Sequence, residues 1–119
     1  MATKAFKEMV NPYIGAGVRV FLWENLINGD DGEPLYLPQH SDKTVQVIGT
    51  FGVGGTCLIE GSCMTVTPTY GTLNDSQGNA LSFTAAKLET VLEDPYIIRP
   101  RVSAGDVTTD LDVYILVKI

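Results

Sequence analysis

Residues Leu111–Lys118 alternate cleanly. Leu111, Val113, Ile115 and Val117 fall on one side, and Asp112, Tyr114, Leu116 and Lys118 on the other. A period of two predicts a strand whose first set faces a core. Ala16–Leu26 alternates as well, with Val18, Val20 and Leu22 against Arg19, Phe21 and Trp23. Apolar bulk on both sides predicts a strand covered on both faces. In Thr44–Phe51, Val45, Val47 and Gly49 oppose Gln46, Ile48 and Thr50. Gly52-Val53-Gly54-Gly55 then reads as a tight turn and Thr56–Gly61 as the returning strand of a hairpin. Thr65–Thr69 is a further short strand, with Pro68 marking it as an edge. The polar turn Leu73–Asn79 leads into Ala80–Thr84. Tyr96–Val102 is strand-like, but Pro100 cannot donate a ladder bond and predicts an edge position or a bulge. Arg99 and Arg101 flank that proline on one side, and Ala104-Gly105-Asp106 turns the chain into the last strand.

Two segments depart from a period of two. In Ala85–Asp94, Leu88, Val91 and Leu92 share a helical face, Glu89 and Glu93 the other, and Pro95 stops the run. A helix that short must pack on a sheet. Met1–Met9 admits another short helix, which Asn11-Pro12 would end. The fold expected is all-β: a single-domain antiparallel β-sandwich of jelly-roll-like kind with one short helix and an extended N-terminal arm. Residues 1–15 are the arm and 16–119 the sandwich domain. About seven strands with turns at roughly 8–12 residue intervals carry this reading.

Composition sharpens it. The 119 residues hold 14 acidic and 8 basic side chains, a net charge of −6, and only 18% are charged. Soluble chains average about a quarter. The shortage sits in residues 44–86, which carry only Glu60 and Asp75. No run of apolar residues is long enough to span a membrane, and the N-terminus lacks the apolar stretch of a secretory signal. An acidic chain without a basic patch is a poor partner for nucleic acid.

Candidate chemistry is thin. Cys57 and Cys63 with the lone His40 do not make an ordinary zinc site, and they read as a buried strand thiol and a loop thiol. His40 has no nucleophile or orienting acid at a meaningful spacing. Asn28–Pro34 is acidic, but the twelfth position counted from Asp30 is Ser41, so no EF-hand is present. Gly52–Gly55 lacks the lysine of a phosphate loop and leads into a strand. No enzyme, cofactor or metal is expected. Apolar, two-faced strands suggest instead a surface shared with partners. The arm and the Asn28–Ser41 loop are suited to clasping a neighbour. Phe6, Val10, Tyr13, Phe21, Trp23, Tyr36, Leu37, Arg99 and Arg101 are the interface candidates. Charge reversal at both arginines is expected to spare the fold and weaken association.

The run Thr44–Phe51, then Ile59-Glu60-Gly61-Ser62, Gly78-Asn79-Ala80-Leu81, Phe83-Thr84, Pro95–Val102 and Ala104-Gly105-Asp106 through Leu111 resembles small virion proteins of tailed bacteriophages. The likeness spans about residues 44–118. The chain departs from the family pattern at Cys63-Met64, where the family often has Asn-Asp, and at Tyr70, where it places a Trp. The resemblance implies a head decoration (cement) protein on the capsid exterior, bound to the major capsid protein and homo-oligomeric as a dimer or trimer. A tail-tube or head–tail joining subunit is the structural alternative. A carbohydrate- or receptor-binding module, resting on Trp23, Tyr36, Tyr70 and Tyr96, is the alternative of another class.

Overall fold

The computed structural model describes residues 2–10, 15–37 and 41–118. Tyr13 and His40 lie outside them. Twelve strands form two sheets: β1 (Thr3–Lys4), β2 (Phe6–Glu8), β3 (Val18–Leu26), β4 (Asp31–Gly32), β5 (Leu35–Tyr36), β6 (Asp42–Thr50), β7 (Thr56–Ser62), β8 (Gly71–Thr72), β9 (Ser82–Phe83), β10 (Lys87–Val91), β11 (Ile97–Ala104) and β12 (Asp110–Lys118). Sheet 1 runs β1-β4-β11-β7-β8, with β5 also on β11 and β9 on β7; sheet 2 runs β10-β6-β12-β3-β2. All pairings are antiparallel except β1 with β4.

The predicted alternation orients β12 and β6. Leu111, Val113, Ile115 and Val117 face inward beside Val45 and Val47, all without solvent exposure. From the opposite sheet Cys57, Ile59, Ile98 and Val102 close the core. In β3 the alternation breaks. Glu24 and Asn25 oppose Asp112 alone, a bulge in which Asn25 takes a φ of +57° and its N–H donates to Asp112 Oδ1 at 3.0 Å. The extra residue shifts the phase, so Trp23 and Leu26, three apart, both reach the core.

Several expectations are corrected. Among the described residues there is no helix. The N-terminal segment is extended: β1 lies on β4 of sheet 1 and β2 on β3 of sheet 2, so the chain start is laced to both layers. Ala85–Asp94 contributes β10 to the open edge of β6, because that edge offers the backbone partners that ten isolated residues lack. Of its apolar trio only Val91 reaches the core, and Leu88 and Leu92 stay exposed. Thr44–Gly61 is no hairpin, since β6 and β7 belong to different sheets and Gly52–Gly55 carries the chain between them. Residues 65–69 form no strand.

Pro100 does not sit on an edge, but its strand does carry a register irregularity, between Val102 and Ala104. The partner of Pro100, Ile59, turns its N–H to Leu81 and its C=O to Leu73, away from β11, so the proline's missing donor points to the other side. There β5 has ended after pairing at Ile98 and β4 pairs only at Arg101. The gap is filled by packing: a Cβ on Gly32 would lie 2.6 Å from both Pro100 Cδ and Trp23 Nε1. Only glycine fits between them. The indole N–H escapes burial without a partner by donating to the Glu33 carbonyl at 3.1 Å.

Candidate functional site

Three parts of the surface could carry function: the outer face of each sheet and the loops at one end. On sheet 1, strand alternation brings Arg99 and Arg101 to the same outer face as Glu60, and Asp31 joins them from β4. Glu60, only 5% exposed, accepts from Arg99 Nε at 3.2 Å and Arg101 Nε at 3.0 Å. Arg99 Nη1 donates to Asp31 at 3.1 Å, and its guanidinium lies 3.7 Å from the Tyr70 ring centre. Two positive and two negative groups thus neutralise one another across β4, β11 and β7. Charge-assisted bonds to a nearly dry carboxylate of this kind hold a face together. The arginines spend their charges inside the chain, and the loop before β8 is pinned by Tyr70. Burial raises the Tyr70 phenol pKa against the opposing pull of Arg99.

Sheet 2 presents the reverse. Two ranks cross its outer face: Leu22, Tyr114, Gln46 and Leu88 in one, Val20, Leu116, Thr44 and Thr90 in the next. None of these eight is charged. A shallow depression of about 380 Å³ between them is lined by Val20, Thr44, Gln46, Leu88, Tyr114, Leu116 and Lys118. Charges are confined to the ends of the ranks, with Lys7 and Glu24 (paired at 2.7 Å) and Asp112 at one end and Lys118 beside Asp42 at the other. Charge-poor centre and charged rim is the anatomy of a protein contact surface.

The third region is the end where β3 hands over to β4, β6 to β7 and β11 to β12. Val53 and Val107 are 82% and 102% exposed there, with Ile27 half-exposed nearby. These tips do not sit on slack loops. The Asp106 carboxylate accepts from Val53 N at 2.9 Å and from Thr108 N at 2.8 Å, tying the two loops together. Thr109 Oγ1 donates to the Phe51 carbonyl at 2.7 Å and accepts from Asp106 N at 2.9 Å. Asn28 reaches the Gly105 carbonyl at 3.3 Å. Gly52, at a φ of +70°, is required because a Cβ would come 2.3 Å from Asp106 Oδ1. The Thr108 hydroxyl, with the two N–H donors, holds the Asp106 pKa down at about 2.

The interface candidates separate accordingly. Phe21, Trp23 and Leu37 are core residues and present no surface. Phe6 is part-buried, packed edge-on to Phe21 and Trp23 at 5.5 and 5.6 Å. Val10 and Tyr36 are exposed, Tyr36 in a T-shaped pair with Tyr96 at 5.6 Å. The residues missed were Val53 and Val107, whose only sequence signal was a valine inside each of two glycine-bearing turns. Also missed was Lys43, which the Lys43-Val45-Val47 alternation places on the inner row. It is wholly buried, its ammonium donating to the Ser41 carbonyl at 3.0 Å and to Asp94.

Cys57 is buried and Cys63 exposed, both as free thiols, matching the separation expected of them. Burial pushes the Cys57 pKa up to about 12. Among the described residues no three His, Cys, Asp or Glu side chains converge as metal ligands, and no helix is long and apolar enough to cross a membrane. No protein-family model matches the chain, and no curated protein matches its sequence.

Proposed function

We propose that this chain is a non-enzymatic structural protein of a tailed-phage virion, a head decoration protein that seats on the assembled shell through its loop end. The observation that carries the reading is the set of exposed apolar tips, Val53, Val107 and Ile27, on loops braced by Asp106 and Thr109. Apolar side chains held out on a rigid frame lose little freedom on docking. The resemblance supports the same architecture. Its scattered segments meet in space, Glu60 with Arg99 and Arg101, and Phe51-Gly52 with Asp106 and Thr109.

The strand order also favours a jelly roll. Taking β3, β4–β5, β6, β7, β8–β9, β10, β11 and β12 as eight successive positions, the first, third, sixth and eighth share sheet 2 and the others sheet 1. Their orders, 6-3-8-1 and 2-7-4-5, are what paired Greek keys give. A protein that binds the assembled shell and not its free subunits stabilises the shell by mass action.

Immuno-electron microscopy of virions whose genome encodes the chain tests the reading. Label spread over the head supports it; label confined to the tail or one vertex favours the joining-subunit reading, and absence from the particle ends it. Heated shells should disrupt at a higher temperature with the protein than without. A glycan-binding role would rest on Tyr36 and Tyr96, since Trp23 is buried and Tyr70 lies under Arg99. Binding on a glycan array would revive it.

A further inference from the structure

We propose that the outer face of sheet 2 is the contact between two copies of this chain, packed face to face about a twofold axis running across the strands at the level of Ile115. The proposal concerns a surface separate from the loop end and does not depend on the virion reading.

The registers make the face self-complementary about that axis. Rotation about Ile115 exchanges position 114 with 116, and 112 with 118, along β12. On β3, whose Phe21 pairs with Ile115, it exchanges 20 with 22; on β6, centred on Val45, 44 with 46; on β10, centred on Glu89, 88 with 90. Tyr114 of one copy then covers Leu116 of the other and Leu88 meets Thr90, while Val20 comes over Leu22, which its own chain already leaves only 4% exposed. Lys118 arrives over Asp112. An axis along the strands midway between β12 and β6 would instead lay Tyr114 and Leu116 on Gln46 and Thr44, apolar against polar. One midway between β12 and β3 would keep Tyr114 on Leu22 and Leu116 on Val20 but set Asp112 against Glu24, like charges. The across-strand axis keeps the apolar side on itself and sets Lys118 over Asp112, with Asp42 falling over Ile48 at the rim, and it exchanges each position with its mate, as an isologous contact requires.

The size fits a reversible pair. Three strands of nine residues and one of five, about 3.4 Å per residue and about 4.8 Å apart, give about 520 Å² per copy, about 1,000 Å² in all, below the usual span of specific interfaces and in the range of weak, reversible ones. The edge strand β10 already defends against endless side-by-side pairing. Lys87 and Glu89 lie on its inward row, opposite Val47 and Val45, and charges there discourage a further strand. At that edge, strand addition is disfavoured and the face is left as the contact.

Sedimentation velocity of the full chain over a concentration series tests this. The expected result is a monomer–dimer equilibrium with a dissociation constant in the micromolar range. Leu88→Glu, at an exposed position, should abolish the dimer while circular dichroism and melting stay unchanged. Lys118→Glu should weaken it about tenfold, a loss of about 1.4 kcal/mol. An equimolar mixture of Leu88→Cys and Thr90→Cys chains, both in a Cys63→Ser background, should form a mixed intermolecular disulfide on mild oxidation, because the axis sets 88 of one copy over 90 of the other; the strand-parallel axis between β12 and β6 places 88 over β3 and predicts none. A chain that stays monomeric at every concentration overturns the proposal. So does a dimer indifferent to Leu88→Glu, or a monomer whose Leu88→Glu variant loses shell binding, which would make the face a shell contact. Failure here would leave the loop-end reading standing, since that is read on the particle.

Discussion

On sheet 1 the outward side chains of β11 are arginines held by Glu60 and Asp31, with Tyr70 laid over one of them. On sheet 2 the corresponding positions of β12 are Tyr114 and Leu116, half-buried and capped by nothing among the described residues. Both faces began as alternating strands of similar length. The first satisfies its surface within one chain and so contributes to folding. The second leaves its outer side chains unmatched by charge partners among the described residues, which is the contrast the proposed face-to-face pairing would use. A polar face can be more closed than an apolar one when its charges are already matched.

The largest blow to this contrast would come from Arg99→Glu with Arg101→Glu. The double reversal places two new carboxylates beside Glu60 and Asp31, and breaking such a low-solvent network costs about 3 kcal/mol or more. A melting temperature lower by roughly 10 °C or more is expected by calorimetry. An unchanged melt would mean that sheet 1 is held by its backbone and core alone, and would return the arginines to the list of contact residues. The sequence by itself suggested that milder outcome; the short distances to Glu60 reverse the expectation.

Next in size is Gly32→Ala. The added methyl would press on Pro100 and Trp23, and overpacking of this sort costs about 1–3 kcal/mol. Urea denaturation should show the loss without a change in slope. A neutral result would show that β4 can move off β11.

A smaller effect is expected at Asp106, where the measure is pH. Its folded pKa of about 2 lies below the ordinary value of 3.8, so its contribution is present above pH 4 and is lost as pH falls toward 2. Asp106→Asn should therefore be less stable than the parent at neutral pH, with the gap closing toward pH 2. A gap independent of pH would assign the loss to geometry and not to charge. Smallest of all is Leu88→Glu. Exposed substitutions stay within about 0.5 kcal/mol, so any larger loss would show that sheet 2 also closes its face from within.

Much of this was legible from alternation. The inward sets of β6 and β12 were read correctly because a period of two states which side chains share a face. It does not state which sheet a strand joins, and so β6 and β7 looked like a hairpin across Gly52–Gly55. Trp23 and Phe21 were ambiguous because both faces of β3 carry apolar residues, and Leu26 joins them in the core only through the bulge at Glu24–Asn25, which no residue type announces. The helix read into Ala85–Asp94 came from a three-residue coincidence of Leu88, Val91 and Leu92. An open sheet edge, invisible in the sequence, decided otherwise. Val53 and Val107 fell within turns, where a single apolar residue carries no period at all.

The two cysteines give the molecule a chemical asymmetry. With a pKa near 12, Cys57 is ionised in about one molecule in a hundred thousand at neutral pH, and its sulfur is sealed in the core. Cys63 is open to reagent. It follows β7, which starts beside the Val53 loop and runs away from it, so it marks the far end of the sandwich. A maleimide dye or a gold cluster will therefore report orientation from one defined pole, on unaltered protein, without touching the valines at the other.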